Sequence, residues 1–200
     1  LYGTQCIKFK FADVRSGDKT AVFTKSKRTA TTVTDPSSYF KALKAQGVVL
    51  DQAERKRLIR SALEKTAKQS SSRLYDDPFL LNEVNYLAEN PQVLSAPFDK
   101  AFLKLPFPVL TVSMARKQRI FGLVDEKEAG LPRFLAIADG KMTEKERKQI
   151  SENYEHVLHA KLQDSLFFYQ EDIKVSLDKR REELKNLIFL KNAGSMLDKS

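Results

Sequence analysis

Residues 119–140 read RIFGLVDEKEAGLPRFLAIADG, and the way this stretch pairs decides the fold class. Two apolar runs, Arg119 to Val124 and Phe134 to Ala138, stand on either side of a connection that begins with the charged, glycine-ended segment DEKEAG. Strands joined over so short a span run antiparallel, because a parallel return needs a crossover of a dozen or more residues. The stretch reads as a β-hairpin. With helical segments before and after it, the chain is α+β and not a regular parallel alternation.

Working outward, a short helix is expected from Pro108 to about Met114. Asp77 and Pro78 open another, with Leu80, Leu81, Val84 and Leu87 inward, ended before Pro91 because proline restricts its predecessor. Asp51 with Glu54 forms a capping-box-like start. The helix it opens has Leu58, Ile59, Ala62 and Leu63 as its stripe, which assigns Arg55, Lys56, Arg57, Arg60 and Lys68 to a basic outer surface. Asp35, Pro36 and Gly47 bracket a short helix with Tyr39, Phe40 and Leu43 on one face. Before it, alternation from Gln5 to Phe11 and the turn-like RSGDKT, Arg15 to Thr20, predict a hairpin over residues 5–33.

Beyond Gly140, Thr143 and Glu146 form a capping box. Ile150, Tyr154, Val157, Leu158, Leu162 and Tyr169 continue a helical stripe for about seven turns. A last helix is expected from Ser176 to Lys191 with Leu184, Leu187 and Ile188 inward, ended before Gly194. The expected organisation is an α+β domain over residues 1–140, antiparallel hairpins packed with helices, and a helical segment over residues 141–200.

With 42% apolar residues among 200, the chain has the means to bury a core. Lysine and arginine number 35 against 26 acids, and the net charge of +9 favours a polyanionic partner such as RNA. A single cysteine, Cys6, excludes an internal disulfide and fits a reducing cytoplasm. No window approaches the roughly 18 apolar residues of a bilayer span, so no membrane partner is expected. The opening LYGTQCIKFK, without initiator methionine or signal-peptide layout, reads as the interior of a longer chain.

The chemistry-bearing residues are few. The chain has no phosphate-cradling glycine loop, no nucleophile elbow and no zincin motif. His156 and His159 share one helix face, but only Glu152 lies within a turn, so no metal site is expected. Asp164 and Asp172 lie about 12 Å apart along a helix, too far for paired-carboxylate catalysis. The candidates that remain are basic. SMARKQRIF places Arg116, Lys117 and Arg119 at a junction of helix and strand, and TKSKRTA places Lys25, Lys27 and Arg28 at the end of the first hairpin, where both clusters suit phosphate contacts.

Four stretches occur in order: FDKAFLKLPFPVLTVSMARKQRIFGL, LPRFLAIADG, ENYEHVLHAKLQDSLFFYQED and FLKNAGSMLDKS. Together they resemble the beta subunit of the heterotetrameric bacterial glycyl-tRNA synthetase. The resemblance implies part of an ATP-dependent ligase that attaches glycine to tRNA(Gly), in which the alpha subunit builds the active site and uses the ATP and magnesium. It implies a tRNA-binding body for this chain, with the editing-type domain of the phenylalanyl-tRNA synthetase beta chain as nearest fold analogy. The segment itself is then noncatalytic, with no cofactor of its own, and its partners are tRNA(Gly) and the alpha subunit, not DNA.

The resemblance also places Lys161 and Asp164 at motif positions, which adds Lys161 to the phosphate-contact candidates. Apolar positions match the family better than polar ones. Lys117 to Phe121, Lys161 to Phe168 and Lys25 to Thr29 depart from its usual pattern. Two alternatives stand beside tRNA binding: an editing-type hydrolase pocket for mischarged tRNA, and a purely structural subunit-interaction domain.

Overall fold

The computed structural model describes residues 1–24, 27–191 and 194–199. The chain begins with two hairpins where the sequence predicts one. β1 (Lys10–Phe11) pairs antiparallel with β2 (Val14–Arg15), and β3 (Lys19–Thr24) with β4 (Lys27–Thr32). RSGDKT therefore links the hairpins. The cause is Ser16, whose hydroxyl donates to the Ile7 carbonyl at 2.7 Å and accepts from the Phe9 N–H at 2.8 Å, closing the first loop early. Ile7, Phe9 and Phe11 stay exposed, so their alternation has no core to face.

α1 (Pro36–Ala45) has a full capping box: Asp35 accepts from the Ser38 N–H at 2.9 Å, and the Ser38 hydroxyl accepts from the Asp35 N–H at 3.0 Å. Gly47 follows in the left-handed region at φ +85°, where a β-carbon would meet the Asn90 side chain at 2.4 Å.

α2 (Gln52–Gln69) is capped by Asp51, which accepts from the Glu54 N–H at 2.7 Å. Its buried row is Arg55, Ile59, Leu63 and Ala67, spaced by four, whereas Leu58 is exposed. Arg55 is thus not on the basic outer surface. Its Nε donates to the Asn85 carbonyl at 2.8 Å and its Nη1 to the Val49 carbonyl at 2.6 Å, which compensates the burial of a charge. β5 (Arg73–Leu74) leads to α3 (Pro78–Asn85), capped by Asp77. α3 ends early enough that Leu87 is exposed and Ala88 takes the buried place.

β6 (Pro91–Pro97) is a strand the sequence did not announce, because prolines stand at both its ends. After a 3-10 turn over Lys100–Lys104 comes α4 (Phe107–Gln118), which runs past Met114. Arg119 is its C-cap in the left-handed conformation, φ 54°, and not the first strand residue. β7 (Ile120–Val124) and β8 (Gly130–Asp139) form the expected hairpin. β8 begins before Phe134 and passes through Pro132 by a bulge: Gly122 faces Phe134, and the next residue, Leu123, faces Leu131. A bulge is where an inner strand tolerates proline, since no ladder donor is needed there.

The four-stranded sheet has the order β5-β7-β8-β6, antiparallel throughout. Neighbouring residues of a strand point to opposite faces, and two cores result. Phe121, Leu123 and Leu135 pack with Ile59 and Leu63 of α2 and with Leu80 and Val84 of α3. Ile120, Phe134 and Ala136 pack with Leu110 and Met114 of α4 and with Leu158 and Leu162 of α5 (Glu144–Asp172). Both α5 leucines are fully buried, each contributing roughly 1.5–3 kcal/mol. This second core draws residues from both sides of Gly140. Arg147 of α5 donates from Nη1 to the Val93 carbonyl of the outermost strand, β6, at 2.6 Å.

The architecture is α+β, as predicted, with helices on both faces of an antiparallel sheet. The last expected helix, Ser176 to Lys191, is realised only as α6 (Leu177–Glu183) and a 3-10 turn over Leu184–Asn186, and a short α7 (Met196–Lys199) follows beyond Gly194. Leu187 turns to extended geometry, and the chain folds back with the Phe189 N–H on the Gly194 carbonyl at 3.1 Å. Leu187 and Ile188 are consequently exposed instead of inward.

Candidate nucleic-acid interface

The last turn of α4 gathers Arg116, Lys117 and Arg119, and two of the three are engaged within the chain. Arg119 donates from Nε at 2.9 Å and from Nη2 at 2.7 Å to one carboxylate oxygen of Glu83 on α3. Arg116 lies 4.2 Å over the ring of Phe79 and 3.9 Å from the Asp77 carboxylate. Both contacts tie the end of α4 to α3. Lys117 is exposed and makes no ion pair among the described residues.

Lys25 lies outside the described residues, as does the side chain of Lys27, whose backbone pairs with Thr24. Arg28 is exposed on β4, opposite Phe23, in a separate hairpin from the α4 cluster. Lys161 is exposed on α5, and its carbonyl accepts from the Ser165 hydroxyl at 2.9 Å. Ser165 in turn meets Ser113 of α4 at 2.9 Å, which fixes the register of the two helices.

Two hollows carry further charge. One, about 410 Å³, has Arg60, Lys68 and Arg73 on its walls, but also Glu64, Asp76 and Glu128. Arg60 pairs with Glu64 at 3.0 Å and with Asp76 at 3.2 Å, while Arg73 pairs with Glu128, so that surface is largely self-neutralised. The Glu64 and Asp76 carboxylates also hold the Arg60 guanidinium above its usual pKa. The other, about 350 Å³, shares Ser72 with the first and carries Lys100 and Arg133, with no carboxylate among its lining residues. Sequence reading missed this pair because the two residues lie far apart in the chain. Locally each shows only as a lone cation near a proline, Arg133 directly after Pro132 and Lys100 three residues after Pro97.

The profile of a family described as glycyl-tRNA synthetase beta subunit matches residues 1–200. The chain belongs to the glycyl-tRNA synthetase beta-subunit family. It is 35% identical over 199 residues to the glycine–tRNA ligase beta subunit of Halothermothrix orenii, matching 100% of this chain and 29% of that protein. It is 37% identical over 200 residues to that of Aquifex aeolicus, with the same shares. A glycine–tRNA ligase of Arabidopsis thaliana, chloroplastic/mitochondrial 2, is 33% identical over 199 residues, which cover 100% of this chain and 18% of that one. The chain thus spans 29% of the length of the bacterial relatives.

Within this glycyl-tRNA synthetase beta-subunit segment, the helix with the two histidines is a packed element. His159 makes an edge contact with Phe102 at 5.2 Å, and His156 is exposed. Among the described residues, no group of three His, Cys, Asp or Glu is placed to hold a metal. Asp172 pairs with Arg180 at 3.5 Å, a local tie between α5 and α6. Tyr154, packed against Phe134, has its hydroxyl pKa raised by desolvation. Cys6 is a free, half-buried thiol. Among the described residues no helix is long and apolar enough to cross a membrane.

Proposed function

We propose that this chain is a noncatalytic tRNA-binding and scaffolding part of a cytoplasmic glycine–tRNA ligase beta subunit. It serves the ATP-dependent glycylation of tRNA(Gly), with ATP and magnesium handled by the alpha subunit. The family match across all 200 residues carries this reading. The net charge of +9 supports contact with a polyanion. Exposed lysines outside the internal ion pairs, Lys117 and Lys161 among them, are available to phosphates.

The scaffolding share has its own support at the C-terminal end, where Phe167, Phe168, Ile173, Leu177 and Ile188 are exposed. The deciding experiment is a gel shift of the chain with tRNA(Gly) over a salt series. The expected result is binding at low salt that weakens linearly in log–log form, with a slope of about 0.7 to 0.9 per phosphate contact. No binding at the lowest salt would remove tRNA contact and leave the scaffolding role.

A further inference from the structure

The geometry points to the hollow between the end of α2 and the β6–β8 edge as a site for one unpaired nucleotide of the RNA, held by its phosphate at Lys100 and Arg133. This rests on the tRNA-binding reading and says where and how that contact is made. Three observations carry it.

The first is charge. Lys100 and Arg133 line the same hollow, and among the described residues no carboxylate lines it with them, in contrast to the neutralised hollow next door. Asp99, next to Lys100, is occupied in accepting from the Ala101 N–H at 2.8 Å as the cap of the 3-10 turn. Arg133 spends one donor on the Ser95 hydroxyl, at 3.3 Å, and keeps the rest of its guanidinium free to fork onto a phosphate.

The second is shape. At about 350 Å³ the hollow lies within the range of small-molecule pockets, roughly 300–1,000 Å³. A duplex backbone needs only protruding cations, whereas a concave site behind them admits a base that has left its stack.

The third is the chemistry of the walls. Pro97, Leu131 and Pro132, exposed or half-buried, give an apolar surface for the face of a base, backed by the buried Phe98 and Leu123. The Ser70 and Ser72 hydroxyls lie 3.0 and 2.9 Å from the Ala67 carbonyl and 3.0 Å from each other, so their protons are engaged within the chain and the lone pairs left over are acceptors, suited to amino or imino groups on a base edge. An acidic peptide would use the cations but not this wall.

The test is the double variant Lys100→Ala with Arg133→Ala, against a control with the same loss of charge on the exposed face of α2, Arg57→Ala with Lys65→Ala. Lys100 and Arg133 are both exposed, so thermal melting of the variant should match the wild type. The probes are tRNA(Gly), a blunt RNA duplex without unpaired nucleotides, and polyglutamate as competitor. Loss of the hollow's cations is expected to weaken tRNA binding about tenfold or more and to flatten the salt slope by about 1.4 to 1.8, two contacts' worth. The control should weaken it less, and duplex binding should be unchanged by the hollow's variant. If the wild type binds no RNA, the tRNA-binding reading fails and the nucleotide site with it. If it binds tRNA but the double variant binds as tightly, the hollow is not the site and the broader reading stands. Equal losses for tRNA and duplex would reduce the hollow to an electrostatic patch, and competition by polyglutamate that is abolished in the double variant would make it an acidic-peptide site; either result overturns the nucleotide assignment.

Discussion

Replacing Arg55 by alanine is the sharpest test of how the helices around the sheet are held. Arg55 is 7% exposed and bonds two backbone carbonyls, those of Asn85 and Val49. Asn85 is the last residue of α3, so its carbonyl has no partner within that helix, and the guanidinium serves as a borrowed C-cap. The Asn85 side-chain oxygen is buried as well, without a partner among the described residues. A hydrogen bond from a charged donor is worth about 1.5–3 kcal/mol, so losing two removes roughly 3–6 kcal/mol. Relief from burying a charge returns part of that, leaving a net loss of about 3 kcal/mol. With an m-value of about 2 kcal/mol/M, the urea midpoint should fall by about 1.5 M. Arg57→Ala, on the exposed side of the same helix, should change stability by no more than about 0.5 kcal/mol. Equal midpoints for the two variants would refute the idea that Arg55 locks α2 to α3 and to the Val48–Leu50 connection.

Two other outcomes are open to direct measurement. Replacing Arg116, Lys117 and Arg119 together by alanine should lower the melting temperature by roughly 3–6 °C, because Glu83 and Asp77 lose their partners, and should flatten the salt slope for tRNA by no more than about 0.9, the share of Lys117. A three-contact flattening with unchanged melting would instead assign all three to RNA. The Ser37 hydroxyl, the Ser38 N–H and the Thr34 hydroxyl hold Asp35 at a pKa of about 2, below the usual 3.8. Its capping contribution is therefore complete above pH 4 and disappears as the pH falls through 2, so Asp35→Ala should flatten the acid side of the stability profile in that window, as followed by urea midpoints between pH 2 and 5.

The β7–β8 hairpin was legible because its strands are close in sequence and bury both faces. β6 was not, since its partner strand lies well downstream and its prolines mimic loop punctuation. Charge misled at Arg55, where residue type suggested solvent while the spacing by four through Ile59 and Leu63 pointed inward. The early stop of α3, which exposes Leu87, and the break after Asn186 arise from backbone turns that leave no periodic signal. The basic clusters were visible as composition, but Glu83 and Asp77 reach them from another helix. Lys100 and Arg133 line one hollow because Pro97 pairs with Arg133 across β6 and β8, which sets the turn that begins at Lys100 beside that end of β8. Side chains from different elements converge through the fold, and a linear pattern does not encode that convergence.

The Arg147 contact on β6 bears on how this segment meets its neighbours. An outermost strand ordinarily presents unpaired carbonyls and amides on which a foreign strand can grow. Here two prolines remove donors at the strand's ends, and a guanidinium occupies the Val93 carbonyl between them. At the opposite rim the strand is only two residues long. Both borders of the sheet are poor templates for strand addition, which protects this sheet from templated aggregation and leaves a protein partner that approaches it to recognise helix surfaces and side chains instead of backbone.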